Sequence, residues 1–506
     1  MHRRAVAILL TVLSSCCAIL VQAGDDDAQK ALALQKVMQK VIAQVEPSVA
    51  CILVSRSEMY QSLGLGPDKD HPGALGDFDP DILRSKPGLS KDAPLWKRRL
   101  DLADPQHIPQ AFGSGVVIDA TGLILTNYHV VQDATKLYVR LPGGKGSYAD
   151  IIAADWRSDL AVLRLLNGKA TSLTPIRLGD ADKVERGQFI LSVTNVFAAG
   201  FRDGQPSASF GILSNIRRRA VAAPREEDVT KPLHNYGTLL QTDARLHLGC
   251  SGGALVNLQG EMIGLTTSMA AIQGGETPGG FAIPVNAGLR RLIEVLKRGE
   301  EIEYGFLGIN FGERVPDGTA GVTVEAVIPG SPVFVDAGLR DTTGSARDVI
   351  LSINGIALQQ SDDLLVALGT QLAGSKVRLE IRRGRDKQVI TREVTLAKLH
   401  VPGKRIVSSL GRRPFFRGVR VDYTSLLAQK PPRLPSIVAG ALISEIKSNS
   451  PAERAFLKSG DIITEVNRMP VHTPQAFYDA VNKAAEPIEL TLYNPPPEAP
   501  TRVFLK

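Results

Sequence analysis

The sequence predicts a mainly β protein, a barrel or sandwich unit followed by two copies of a small α+β unit, and three observations carry that reading. From Phe112 onward, short apolar or β-branched runs ("GSGVVID", "GLILTN", "KLYVRL", "DIIAAD", "LAVLRL", "FILSV", "EMIGLTT") alternate with turn residues and are too brief for helices. The chain holds 47 glycines and 31 prolines against two tryptophans, which suits many turns and small-residue packing. Finally, "GVTVEAVIPGSPVFVDAGLR" with "RDVILSING", from Gly321, is echoed by "GALISEIKSNSPAERAFLKSGDIITEVNR", from Gly440. Copies about 115 residues apart are two related domains, because a solenoid would repeat at ~20–50.

The chain of 506 residues has room for about three domains. Its first 23 residues read as a signal peptide: "MHRR" is the basic start, "AVAILLTVLSSCCAILV" the apolar run, and "VQA" the small-residue cleavage site. The apolar run is marginal for the ~20 residues of a membrane span, so an uncleaved anchor is the alternative. "LSSC" resembles a bacterial lipobox, in which case acylated Cys16 tethers the mature protein. Each version implies export.

Removing residues 1–23 takes away Arg3 and Arg4 and no acid, so the net charge falls from +7 to +5. Basic clusters such as Arg217–Arg219 are short and scattered, unlike the concentrated basic face that nucleic-acid binding needs. Two cysteines remain in the mature chain, Cys51 and Cys250, with no metal-type spacing. An oxidising compartment would permit a bond between them, but only geometry can decide it.

In chain order, "AQKALALQKVMQKVIAQV" has helical periodicity and "PSVACILV" reads as a strand. Residues ~56–110 show no steady period, and a loop that long is functional or disordered. The β unit follows, and "NAGLRRLIEVLKRGEE" closes it as a helix near residue 300. The reading is therefore a first domain at 24–300 and two small domains at 301–400 and 415–506, with "LGRRPFFRGV" and "AQKPPRLP" as linker or loop.

Three motifs carry chemistry. "LTNYHVV" places His129 at a strand end, "DWRSDLAVLRL" places Asp159 at the mouth of a buried strand, and "GCSGGALVN" places Ser251 in a glycine turn. A serine is a poor nucleophile unless a base within reach takes its proton and a carboxylate orients that base. Glycines let backbone N–H groups converge on a developing oxyanion and let substrate approach. Singly, each motif also fits a structural role: a strand-end histidine, a turn-capping aspartate, a glycine turn. Cys250 as nucleophile and His247 as base are rival readings. The order His, Asp, Ser within one β unit favours the triad.

These residues, with "QTDA" and "GGFAIPVN", resemble the protease domain of the HtrA/Deg family, and the repeated units resemble that family's PDZ domains. The resemblance implies a chymotrypsin-like double β-barrel followed by two small PDZ (α+β) domains. It implies His129 as general base, Asp159 as its orienter and Ser251 as nucleophile. The backbone N–H groups of Gly249 and Ser251 would form the oxyanion hole, and Leu246 and Met269 would line an apolar specificity pocket, near which Arg245 is a cation. The mechanism needs no cofactor and no metal.

By the same resemblance the protein is an exported, periplasmic or cell-envelope, ATP-independent serine endopeptidase. Its partners would be unfolded proteins, peptide C-termini and copies of itself, in trimers or multiples of trimers. "YGFLGIN" resembles a PDZ carboxylate-binding loop, with Gly305, Phe306, Leu307 and Gly308 as its residues, and the second copy's "FRGVRVD" is a poorer match.

Two departures bear on activity. The family commonly has asparagine at Cys250 and a Gly-Asn-Pro-Phe-Gly run where this chain has Thr194, Asn195, Val196, Phe197 and Ala198. They motivate a rival reading, a non-proteolytic chaperone or peptide-binding protein on the same scaffold.

Overall fold

The computed structural model describes residues 26–67, 71–79, 100–106, 109, 111–167, 173–218, 232–233, 238–267, 280–312, 319–384, 386–402, 407–410, 413–430, 433–494 and 501–505. The expected leader, Cys16 and Met269 lie outside these residues. Six strands build the first barrel: β1 (Val49–Ser55), β2 (Ala111–Asp119), β3 (Leu123–Thr126), β4 (Lys136–Leu141), β5 (Lys145–Asp155) and β6 (Leu160–Leu165). Their order is β5-β4-β1-β2-β3-β6, and β6 closes on β5.

The second barrel follows: β7 (Arg177–Leu178), β8 (Phe189–Thr194), β9 (Ser207–Arg218), β10 (Leu239–Thr242), β11 (Ala254–Asn257), β12 (Glu261–Thr267) and β13 (Gly280–Pro284). Six of these close in the order β11-β8-β9-β10-β13-β12, with β7 added parallel to β12. This is the chymotrypsin-like pair of barrels that the resemblance implied.

Strand alternation assigns side chains to separate cores. On β1, Ala50, Ile52 and Val54 fill the first barrel, while Cys51 and Leu53 point outward. Between the barrels, Val116, Leu125 and Val162 meet Leu191, Val193 and Val256. The helix Ala287–Lys297 adds Leu289, Leu292 and Leu296 to this seam, and helical residues 26–45 add Val41 and Val45. Asn286 caps the former helix by accepting from Leu289 N at 2.9 Å.

Described parts of segment 56–110 are not a loose loop. Tyr60, Phe78, Leu100 and Leu102 pack on Cys51, Leu53, Tyr138 and Tyr148 as a separate aromatic core. Lys136 Nζ donates to the carbonyls of Leu75, Gly76 and Asp77, and Tyr148 donates to Asp101 Oδ1 at 3.0 Å. The segment is held by aromatic anchors and a buried cation, which leave no period in the sequence.

The first small domain holds β14 (Gly305–Phe306), β15 (Ile309–Phe311), β16 (Val322–Val327), β17 (Val349–Ile353), β18 (Ile356–Ala357), β19 (Lys376–Arg382), β20 (Val389–Thr395), β21 (Ala397–Lys398) and the helix Ser361–Gly369. A short strand, β22 (Val407–Ser408), then returns to the first barrel and pairs with Ala153 and Ala154 of β5.

The second small domain holds β23 (Val419–Tyr423), β24 (Ala441–Ile446), β25 (Ile462–Val466), β26 (Met469–Pro470), β27 (Ile488–Leu492), β28 (Thr501–Leu505) and the helix Pro474–Lys483. The two small domains meet at Lys398, whose ammonium pairs with Glu303 at 3.0 Å and Glu301 at 3.5 Å in the first and with Asp422 at 3.1 Å in the second.

Candidate active site

His129 sits on one helical turn, Tyr128–Val131, that follows β3, and Asp159 ends the tight turn between β5 and β6. His129 Nδ1 lies 2.9 Å from Asp159 Oδ2 and 3.0 Å from Oδ1, and the His129 backbone N–H donates to Oδ1 at 3.1 Å. The aspartate is buried and the imidazole partly exposed, as an orienter and a base require.

Asp159 has φ 56°, a left-handed conformation that costs a non-glycine residue ~1–2 kcal/mol. The surroundings hold it there: its carbonyl accepts from Tyr128 N and from Asn127 Nδ2, each at 3.1 Å. A carboxylate opposite Nδ1 selects the tautomer with the proton on that nitrogen, leaving Nε2 basic.

Ser251 lies in the turn between β10 and β11, buried at the seam of the barrels. Gly249 and Gly252 have φ of 90° and 87°. A Cβ at Gly252 would come within 2.1 Å of Ser114 O and 2.3 Å of Thr126 Oγ1, so the turn admits only glycine there. Ser114, on β2 and fully buried, ties the turn to the first barrel. Its N–H donates to Ser251 O at 2.8 Å, and its hydroxyl donates to Gly249 O at 2.7 Å and accepts from Asn195 N at 2.8 Å. Sequence reading missed this serine; its only signal was its place in "GSG".

The two N–H groups expected to meet an oxyanion take their directions from the carbonyls opposite them across trans peptides. The Leu248 carbonyl accepts from Phe197 N at 2.7 Å, which orients Gly249 N–H the other way. The Cys250 carbonyl accepts from Thr266 Oγ1 at 2.6 Å and Gly253 N at 3.1 Å, which does the same for Ser251 N–H.

Cys250 is buried and its sulfur accepts from Thr194 Oγ1 at 3.2 Å and His247 N at 3.3 Å. Burial raises its thiol pKa, and burial pushes the Cys51 thiol up to about 12. Both cysteines are free thiols, so the bond the compartment would permit is not made. His247 stacks on Phe197 with centroids 5.7 Å apart, and Leu246 is buried beside Gly280, where a Cβ would meet its Cδ1 at 2.4 Å. Arg245 is exposed.

A second link reaches the site from the first small domain. Tyr304, fully buried, donates to Asp155 Oδ2 at 2.5 Å, and the Arg157 guanidinium lies 4.2 Å above its ring. Ser158 binds the same oxygen through N at 2.8 Å and Oγ at 2.6 Å. These residues form the turn that ends in Asp159.

In that small domain, Gly308 has φ 86°, and a Cβ there would strike Ser331 Cβ at 2.1 Å. The loop Gly305–Gly308 is closed by Gly305 N donating to Gln371 O and Ile328 N donating to Gly308 O. Within the described residues, β15 pairs with β16 alone, leaving its other edge available. The second small domain differs. Along the outer edge of β23, Tyr478 accepts from Val421 N at 3.4 Å and donates to Pro414 O at 2.8 Å. Arg420 donates to Arg413 O at 2.7 Å and stacks 3.9 Å over the Phe415 ring. Residues 413–415 thus cover that edge.

Comparison with known proteins agrees with this anatomy. A trypsin-like peptidase domain family matches residues 113–265, and PDZ domain families match 305–395 and 442–494. The periplasmic serine endoprotease DegP of Salmonella typhimurium is 32% identical over 369 residues, covering 71% of this chain and 70% of the relative. The periplasmic pH-dependent serine endoprotease DegQ of Escherichia coli K12 is 33% identical, covering 76% of this chain and 77% of the relative. Among solved structures, the HtrA-type protease AlgW with tripeptide has 23% identity and a TM-score of 0.48, covering 72% of this chain and 97% of that one.

Proposed function

The chain belongs to the HtrA/Deg family of serine proteases with PDZ domains, and from that premise we propose an exported, ATP-independent endopeptidase that cleaves unfolded or damaged proteins through Ser251, His129 and Asp159. The observation that carries the reading is the grip of both Asp159 carboxylate oxygens on His129 Nδ1, at 2.9 and 3.0 Å. His129 Nε2 takes the proton from the Ser251 hydroxyl as Oγ attacks the scissile carbonyl. The tetrahedral oxyanion is held by Gly249 N–H and Ser251 N–H, a contribution of about 10²–10³ in rate per donor. Collapse breaks the C–N bond, imidazolium protonates the leaving amine, and water activated by His129 releases the acyl group from Ser251.

Leu246 offers an apolar surface to the side chain before the cut. The loop Gly305–Phe306–Leu307–Gly308 takes a peptide carboxylate, and the peptide extends along β15 by strand addition. The relatives named periplasmic endoproteases support a periplasmic or cell-envelope location, and trimers or multiples of trimers are the assembly that the family resemblance implies for it. Digestion of unfolded casein by the purified protein, lost completely in Ser251→Ala, is the expected result. An unchanged rate in that variant sinks the assignment.

A further inference from the structure

Thr194 in place of glycine and Cys250 in place of asparagine read in the sequence as two separate departures, 56 positions apart. In the fold they touch. Thr194 Oγ1 donates to Cys250 Sγ at 3.2 Å, with both residues fully buried. The fit extends to a third position: Gly253 has no Cβ to clash with the threonine methyl, which lies 2.6 Å from where one would be.

The sulfur also accepts from His247 N at 3.3 Å while Cys250 N donates to His247 O at 3.1 Å, closing the turn 247–250 on itself. Inside that closed turn lies the Leu248–Gly249 peptide, whose carbonyl is held by Phe197 N. Phe197 and Ala198 stand at φ 51° and 53°, a conformation that disfavours non-glycine residues. Without the family's glycines and proline, the path of residues 194–198 has to be imposed by contacts.

We propose that Thr194 and Cys250 are a matched pair of positioning residues, which hold segment 194–198 against the nucleophile turn and so keep the Leu248–Gly249 peptide oriented for the reaction. The inference rests on Ser251 as the nucleophile. It explains how this chain departs from the family pattern at two places that face each other.

The test uses the full-length protein and the variants T194V, T194S, C250A, T194V/C250A and S251A. Readouts are fluorophosphonate labelling rate, kcat and KM on a peptide substrate, and thermal midpoint. T194V keeps the volume and removes the donor; it should lower kcat and labelling about five- to tenfold, the loss of one modest hydrogen bond. KM should stay within about twofold, since the contact orients an oxyanion donor and touches no substrate. T194S should restore the rate, and the double variant should lose no more than the worse single one. Should T194V fail to fold, C250A asks the same question by removing the acceptor.

Wild-type kcat and labelling in T194V, additive losses, or a lowered midpoint with kcat unchanged overturn the pair. If S251A is unlabelled in those cases, the triad survives and the pair alone falls. Full labelling of S251A overturns both.

Discussion

The Tyr304 hydroxyl and the Asp155 carboxylate meet at 2.5 Å across 149 positions of sequence, joining the first PDZ domain to the turn that carries Asp159. Asp155 Oδ2 is shared with Ser158 N and Oγ, so the tyrosine completes a buried acceptor four residues before Asp159. Arg157 in the same turn donates to Gly369 O at 3.3 Å, at the end of the PDZ helix Ser361–Gly369. Tyr304→Phe removes one buried hydrogen bond and should cost about 1–3 kcal/mol of stability. Thermal unfolding of the full-length variant measures this, and a midpoint equal to wild type would show that the contact does not support the docked domain.

Asp159→Asn tests the orienting role. The amide keeps the size of the carboxylate but presents a donor to His129 Nδ1, favouring the wrong tautomer. With the geometry as described, kcat should fall by about 10³–10⁴ and KM should change little. Steady-state kinetics decide it, and a loss below about tenfold would remove Asp159 from the triad.

Cys51 gives a pH prediction. Burial raises its pKa from 9.0 to about 12, so the folded protein binds the thiol proton more tightly than the unfolded chain does. Its contribution is fully present below pH 9 and is lost as pH rises toward about 12, with a limiting slope of about 1.4 kcal/mol per pH unit. Urea midpoints at pH 8 and at pH 10.5 should differ less in Cys51→Ala than in wild type, although the variant starts lower because it leaves a cavity. Equal alkaline losses in the two proteins would contradict the assignment.

Peptide C-termini should distinguish the two PDZ domains. Gly308→Ala puts a Cβ into Ser331 at a left-handed φ and should abolish binding of a labelled apolar C-terminal peptide, read by fluorescence anisotropy. Gly418→Ala is the matching change in the second domain, where a Cβ would meet Ser450 Oγ at 2.1 Å. Because residues 413–415 already cover the edge of β23, that variant should leave peptide affinity unchanged. Loss of binding in Gly418→Ala alone would reverse the roles.

Much of the architecture was readable from local pattern. Short strands between turn residues announced a barrel or sandwich unit, the family resemblance narrowed it to two barrels, and the repeat announced the two small domains, because strand periodicity and turn residues are properties of neighbours in sequence. Segment 56–110 was unreadable for the opposite reason. Its described parts are pinned by Tyr60, Phe78, Leu100 and Lys136, through contacts with no period.

The same division runs through the candidate site. His129, Asp159 and Ser251 each sit in a short motif that singly also fits a structural role, and it was their order within one β unit, with the family resemblance, that nominated them. The sequence could not show that Ser114 holds both carbonyls flanking Cys250, that Tyr304 reaches Asp155, or that Thr194 faces Cys250. Each of those contacts closes over 56 or more positions between different strands or domains. The sequence determined which groups could react; only barrel closure and domain docking decided which residues hold them, because packing brings distant residues together without leaving a local mark.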